Sequence, residues 1–461
     1  MATNDQPLEA DAPVEVVTVR SGDWSRLFGA LDGSARMAVI QARFTAKSGQ
    51  LVYVPARGER PGHFLFGLAD DEGAMAYRGL AGRLPPGDYF LGSPPAEFDG
   101  AQIASAWALG AYRFDRYKRA EAEAAPRLVG LSGVNTAEVE AIAGACTLVR
   151  DMINTPANDM GPAEVEAVAR GIAEGCGARI DVVVGDDLLA AGYPAVHAVG
   201  RAAAPARAPR MVEMSWGEAD HPLIALVGKG VVFDSGGLDI KPSAGMRQMK
   251  KDMGGGAHVL ALARMMMAAK LPVRLAVLVP AVENAISGDA MRPGDILASR
   301  EGLSIEVGNT DAEGRLILAD ALARASELSP VLTIDMATLT GAARVALGPD
   351  VVPFYTDDDE LAAELTAAAT RVSDPLWRMP LWSGYDAAID SDIADVANDA
   401  EPWAQAGSIT AALFLKRFAP KTPWVHFDIF GWNPRNRPGW PKGAEAQAIR
   451  AIYAVLKARY G

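Results

Sequence analysis

The chain has 461 residues, half of them apolar, and 57 acidic against 44 basic side chains give a net charge of −13. That length points to two or three domains, and the composition excludes disordered, collagen-like and disulfide-scaffold classes. The charge makes nucleic acid and anionic membranes poor partners.

Two cysteines, Cys146 and Cys176, read as buried thiols in a reducing compartment and exclude a cysteine-based zinc site. The first thirteen residues carry Asp5, Glu9 and Asp11 with no basic region followed by an apolar one, so no secretory signal is expected. The most apolar stretch, 265–282, is broken by Lys270, Pro272 and Arg274 and is not expected to span a membrane. The expectation is a soluble cytoplasmic protein.

In chain order, the first third mixes short apolar runs at 37–40 and 51–55 with Gly/Pro turns and an Ala-rich helix near 101–112. It reads as a small α/β domain over 1–134. After a charged stretch at 113–125, an amphipathic helix starts at Asn135. Glu138 is placed for a capping box, and Val139, Ile142, Cys146, Val149 and Ile153 share one face. This helix, 135–154, is the expected connector to a second domain over 135–461. Helix patterns at 163–175, 256–269 and 317–328 then alternate with apolar strand patterns at 180–184, 223–227, 273–282, 331–334 and 424–429. The predicted class is α/β, a mixed, largely parallel sheet covered by helices, with chemistry just beyond the carboxyl ends of strands.

Two polar clusters follow such strand ends. One runs from Gly228-Lys229-Gly230 through Asp234 and Lys241 to Asp252, and the other is Asn309-Thr310-Asp311-Ala312-Glu313-Gly314-Arg315-Leu316. In an extended segment Asp311, Glu313 and Arg315 project to one side. Four carboxylates, Asp234, Asp252, Asp311 and Glu313, repel one another in a cleft unless neutralised, and two divalent cations supply the matching charge. Oxygen ligands suit magnesium or manganese, and zinc accepts them too. For any one of these residues a solvated loop position is an even alternative; for the two glycine-flanked clusters together it is much weaker. The five histidines lack H-E-x-x-H spacing, and Gly228-Lys229-Gly230 lacks phosphate-loop spacing. The Asp234-Ser235-Gly236-Gly237 string matches a serine-protease nucleophile loop only superficially, since an α/β pattern surrounds it. Met249 beside Asp252 either fills core or lines an apolar pocket. Trp424, Trp432 and Trp440 read as packing for the last strand and its loop, and Arg435 and Arg437 as solubilising charge.

The segment 309–316 resembles the signature octapeptide of the leucyl aminopeptidase family of dinuclear metallopeptidases. The likeness extends through 227–255, 154–158, 281–284 and 335–341. It implies that Lys229, Asp234, Asp252 and Glu313 hold one metal and Asp234, Asp311 and Glu313 the other, with manganese or zinc favoured and magnesium possible. Lys229 would bind as a neutral amine, which burial and neighbouring dications favour.

Lys241 and Arg315 match the family's two cationic catalytic positions, the arginine with a bicarbonate ion that shuttles a proton. The resemblance implies that a water or hydroxide bridging the metals attacks the first peptide bond. Met249, Thr338, Leu339 and Gly341 would contact the peptide substrate, and the assembly would be a homohexamer. Two departures stand out: Gly254-Gly255-Gly256-Ala257-His258 after the metal-binding aspartate, and the 431–440 segment. Two other readings stay open, a DNA-binding regulatory relative and a two-metal hydrolase of another class such as a phosphatase.

Overall fold

The computed structural model describes residues 12–58, 60–118, 124–400 and 403–461. Asp5, Glu9 and Asp11, used above against a secretory signal, and part of the charged stretch at 113–125 lie outside the described residues. Two compact units are present, Met1–Ala143 with Arg435–Lys442, and Gly144–Pro434 with Gly443–Gly461. The division falls inside the helix Thr136–Asn154.

The first unit is built on a five-stranded sheet in the order Leu51–Val54, His63–Leu68, Val14–Arg20, Asp88–Leu91, Arg127–Leu128. Alternate side chains feed opposite faces, as the strand period requires. Val16, Phe64 and Phe66 pack with Tyr77, Leu80 and Trp107 on one side, and Val19, Val52 and Leu65 with Val39 and Phe44 on the other. The 37–40 run is helical, within Gly33–Gln41: Val39 is buried while Met37 and Ile40 face out. The 435–442 segment belongs to this unit. Trp440 stacks under the Arg78 guanidinium at 4.6 Å, and a Cβ on Gly439 would stand 2.4 Å from the Arg78 carbonyl carbon. Trp440 and Arg437, whose guanidinium lies 5.4 Å from the Trp440 ring, are thus packing residues of the first unit, and Arg437 is more than idle surface charge.

The second unit carries a nine-stranded mixed sheet. At its centre Trp424–Asp428, Leu332–Ala337, Leu223–Gly228 and Arg274–Asn284 run parallel. Gly230–Asp234 pairs in parallel with the far end of Arg274–Asn284. Arg210–Trp216 and Arg179–Val184 extend one edge antiparallel, and Val352–Tyr355 with Leu376–Arg378 form the other. The central strands are buried along their length, as expected of a sheet covered on both faces. The helix Gly254–Ala268 is buried nearly all round, matching its Ala/Met/Leu composition. Cys146 is buried and burial raises its thiol to about 12; Cys176 is half-buried, and neither forms a disulfide. Among the described residues no helix is long and apolar enough to cross a membrane.

Candidate metal centre and substrate cavity

All the central parallel strands deliver a polar residue at or just past their carboxyl ends: Lys229, Asn284, Thr338 and Asp428, with Asp234 closing the short Gly230–Asp234 strand. Close backbone approach fixes the first of these. Lys229 N donates to Met336 O at 3.0 Å, and Gly256 N donates to Lys229 O at 2.7 Å. This packing requires Gly255, because a Cβ there would stand 2.0 Å from Met336 O. The glycine triplet is therefore the first turn of the helix against the sheet, two residues earlier than the apolar pattern suggests. His258 in that run is structural. Its Nδ1 lies 2.6 Å from Gly254 O and its Nε2 accepts from Gln447 N at 2.9 Å, so the ring is neutral with the proton on Nδ1.

Asp311, Glu313 and Arg315 do not lie on an extended segment. The helix Glu313–Glu327 begins four residues before the apolar pattern, and Asp311 belongs to the turn ahead of it. Glu313 and Arg315 occupy the helix's first turn, where unpaired N–H groups favour an acidic side chain. Carboxylate oxygens of Asp234, Asp252 and Glu313, all buried, lie within 4.8 Å of one another. Asp311 stands outside that trio, a third of its side chain exposed, and is linked to it through Lys241.

Two ammonium groups offset part of the charge of the four acids. Lys229 Nζ is 2.8 Å from Asp252 Oδ2 and 2.9 Å from Glu313 Oε1, and donates to Thr338 O at 3.2 Å. Lys241 Nζ is 2.7 Å from Asp234 Oδ2 and also contacts Asp311. Burial alone would lower both lysines; Asp252 and Glu313 around Lys229, and Asp234 beside Lys241, outweigh it and hold both ammonium groups well above their usual range. Burial and the Asp234 charge raise Glu313 strongly and Asp311 to about 6. Burial pushes Asp252 up as well, but Lys229 and Lys251 reverse the sign and lower it. Among the described residues, buried Glu313 Oε2 has no hydrogen-bond partner, and Glu313 Oε1 and Asp252 Oδ2 meet Lys229 without hydrogen-bond geometry. Orphaned carboxylate oxygens in a buried cluster are the donor set a divalent cation requires.

The remaining residues hold this arrangement. Asn284 Nδ2 and Gly236 N both donate to Asp234 Oδ1 at 2.9 Å. The Thr338 hydroxyl donates to Asp252 Oδ1 at 2.8 Å. Asn398 accepts from Gly308 N and Asn309 N and donates to Asn309 O, while Arg315 donates to Asn398 O at 2.6 Å. Burial lowers Arg315. Asp428 Oδ1 accepts from Leu339 N at 3.0 Å and Thr340 N at 3.1 Å, and its Oδ2 accepts from the Thr340 hydroxyl at 2.6 Å. The Ser235 hydroxyl donates to Asn284 O, a loop-stabilising bond.

These groups border a cavity of about 870 Å³, large enough for a short peptide. Lys229, Asp234, Lys241, Met249, Asp252, Asp311, Arg315, Thr338, Leu339 and Gly341 all line it, and Glu313 lies behind Lys229. No histidine lines the cavity among the described residues. Asn398 and Asp428 escaped the sequence reading. Asp428 was findable as the acid ending the 424–429 strand; Asn398 lies in a segment with no pattern to single it out.

A mixed α/β sheet with a buried acidic trio and two lysines at its carboxyl edge, beside a peptide-sized cavity, is an arrangement suited to holding divalent cations for hydrolysis. The chain belongs to the cytosol aminopeptidase family: residues 147–453 match the family's catalytic domain and 13–129 the M17 aminopeptidase N-terminal domain. A probable cytosol aminopeptidase of Rhizobium etli is 44 % identical over 361 residues, covering 74 % of this chain and 71 % of its own. The crystal structure of cytosol aminopeptidase from Coxiella burnetii is 40 % identical, with a TM-score of 0.91 over 98 % of both chains. The bottromycin maturation enzyme BotP in complex with Mn is 32 % identical, with a TM-score of 0.86 over 97 % of this chain and 99 % of its own.

Proposed function

We propose that the chain hydrolyses the N-terminal peptide bond of peptides with a free α-amine, using two divalent cations held by Lys229, Asp234, Asp252, Asp311 and Glu313. The observation that carries this reading is the buried convergence of Asp234, Asp252 and Glu313, with orphaned oxygens, beside a peptide-sized cavity. Bound divalent cations supply Lewis-acid polarisation and make water acidic enough to yield a nucleophile at neutral pH. Manganese, the ion of the BotP complex, suits this oxygen-rich donor set, as do zinc and magnesium.

Lys229 enters the ligand set only as a neutral amine, so cation uptake is coupled to loss of its proton. Were Asp234 and Asp311 to hold divalent cations, the Lys241 ammonium on the cavity wall would face negative charge developing on the scissile carbonyl oxygen. Arg315, held by Asn398 and lining the cavity, would hold bicarbonate for proton transfer. The Leu339–Thr340 backbone, clamped by Asp428, aligns the peptide, and Met249 borders the first side chain. A cytosolic homohexamer is the expected setting.

Hydrolysis of leucyl-p-nitroanilide by purified protein, its loss on chelation and its return with Mn²⁺ or Zn²⁺ test the reading. A chelator-insensitive rate equal to the parent's overturns it.

A further inference from the structure

Two more cations stand on the wall of the same cavity. Lys251, on the turn that leads into Asp252, is only 6 % exposed, lines the cavity, and places its Nζ 5.1 Å from the centre of the Phe430 ring. Arg344, on the helix Gly341–Leu347, places its guanidinium carbon 5.4 Å from the same ring, and both residues line the cavity. Among the described residues neither side chain makes an ion pair or a hydrogen bond.

The acids nearby are already engaged. Asp252 is held by Lys229 and Thr338, and Asp428 by three donors of Leu339 and Thr340. An aromatic face offsets part of the cost of a buried ammonium but does not neutralise it. The wall thus presents two cationic groups, one buried and one exposed, with an apolar ring between them.

We propose that the Lys251–Phe430–Arg344 wall binds a substrate carboxylate, and that this group is the side chain of an aspartate or glutamate at the peptide's first position. The proposal rests on the aminopeptidase reading. Phe430 provides apolar surface for the methylenes while the two cations take the carboxylate, and Met249, on the same turn as Lys251, borders the same side of the cavity. The terminal carboxylate of a short peptide offers the same chemistry from a second source.

The test uses metal-loaded full-length protein and ratios of kcat/KM. Glutamyl-p-nitroanilide should exceed its neutral isostere glutaminyl-p-nitroanilide on the order of tenfold or more, the scale of one charge-assisted hydrogen bond. Lys251→Met should bring that ratio to about one, and Arg344→Gln, at an exposed position, should lower it independently of any folding defect at 251. Calorimetry with L-glutamate and L-glutamine should show the same order of affinities. A Glu/Gln ratio of one in the parent, unchanged in both variants, overturns the proposal while leaving leucyl-anilide hydrolysis to speak for the peptidase. A preference for Ala-Ala over Ala-Ala-amide that Lys251→Met abolishes, with a Glu/Gln ratio of one, moves the carboxylate to the peptide terminus and overturns the first-position assignment. Hydrolysis of no anilide strikes at the peptidase reading, and the calorimetric ratio then decides the carboxylate site by itself.

Discussion

Lys229 crosses directly over Gly314: a Cβ at position 314 would stand 2.6 Å from both Cε and Nζ of the lysine. The glycine of the second cluster thereby makes room for the lysine of the first, and the two clusters meet at this point because position 314 carries no side chain.

Gly314→Ala separates helix stability from site geometry. Alanine favours a helix over glycine by about 1 kcal/mol, so the helix itself gains, while Lys229 must move. The expected outcome is a kcat/KM loss on the order of 10²-fold with reduced metal content and unchanged circular dichroism, since small misplacements of reacting groups have effects of that size. Parent-like activity would show that the Lys229 position is not needed.

Lys229→Arg keeps the charge and loses the lone pair, because guanidinium does not deprotonate in proteins. Its metal content should fall below the parent's and turnover should be abolished. Two bound metals with normal turnover would remove Lys229 from the ligand set.

Asp428 touches no proposed ligand, so its effect should appear in substrate binding. Asp428→Ala strands two backbone N–H groups at Leu339 and Thr340 and should raise KM on the order of tenfold, the scale of one or two lost charge-assisted hydrogen bonds, with metal content unchanged. Asp428→Asn keeps one acceptor for both N–H groups and should recover most of the loss. Equal KM values in all three proteins would refute the clamp.

His258 gives a pH signature of its own. Burial, opposed only in part by the Gly254 carbonyl and the Asp374 and Glu445 charges, lowers it from the ordinary 6.5 to about 4. As pH falls below 6.5 the unfolded chain binds a proton that the native ring refuses until about 4. The stabilisation is therefore complete above 6.5, is lost progressively through that window, and changes no further below it. At 1.36 kcal/mol per unit the loss amounts to ~3 kcal/mol. Urea midpoints measured from pH 7 to 4 should fall less steeply in His258→Asn than in the parent; identical slopes would count against a buried neutral imidazole.

Much of this was legible beforehand because the apolar strands 223–227, 273–282, 331–334 and 424–429 are buried on both faces and read as continuous runs, and because sites in such sheets lie past strand ends. Antiparallel Arg210–Trp216 was missed since its pattern is interrupted by Glu213 and Ser215, and the helix Ile449–Tyr460 since no cap announces it. The extended reading of 309–316 failed because Gly314 lowers helix propensity at the one place where close packing against Lys229 requires a glycine. The buried pairing of Lys229 with Asp252 and Glu313 depends on how the helices Gly254–Ala268 and Glu313–Glu327 pack against the strand Leu223–Gly228, which no local pattern encodes.

The most direct test compares a free peptide with its Nα-acetylated twin on protein whose metal content is measured in the same preparation. Substrate register is proposed to depend on the free amine at the metal centre, so the free peptide should lose its first residue only when divalent metal is bound, and the acetylated twin should remain intact. Comparable cleavage of both peptides, or cleavage that survives complete removal of metal, would contradict the account.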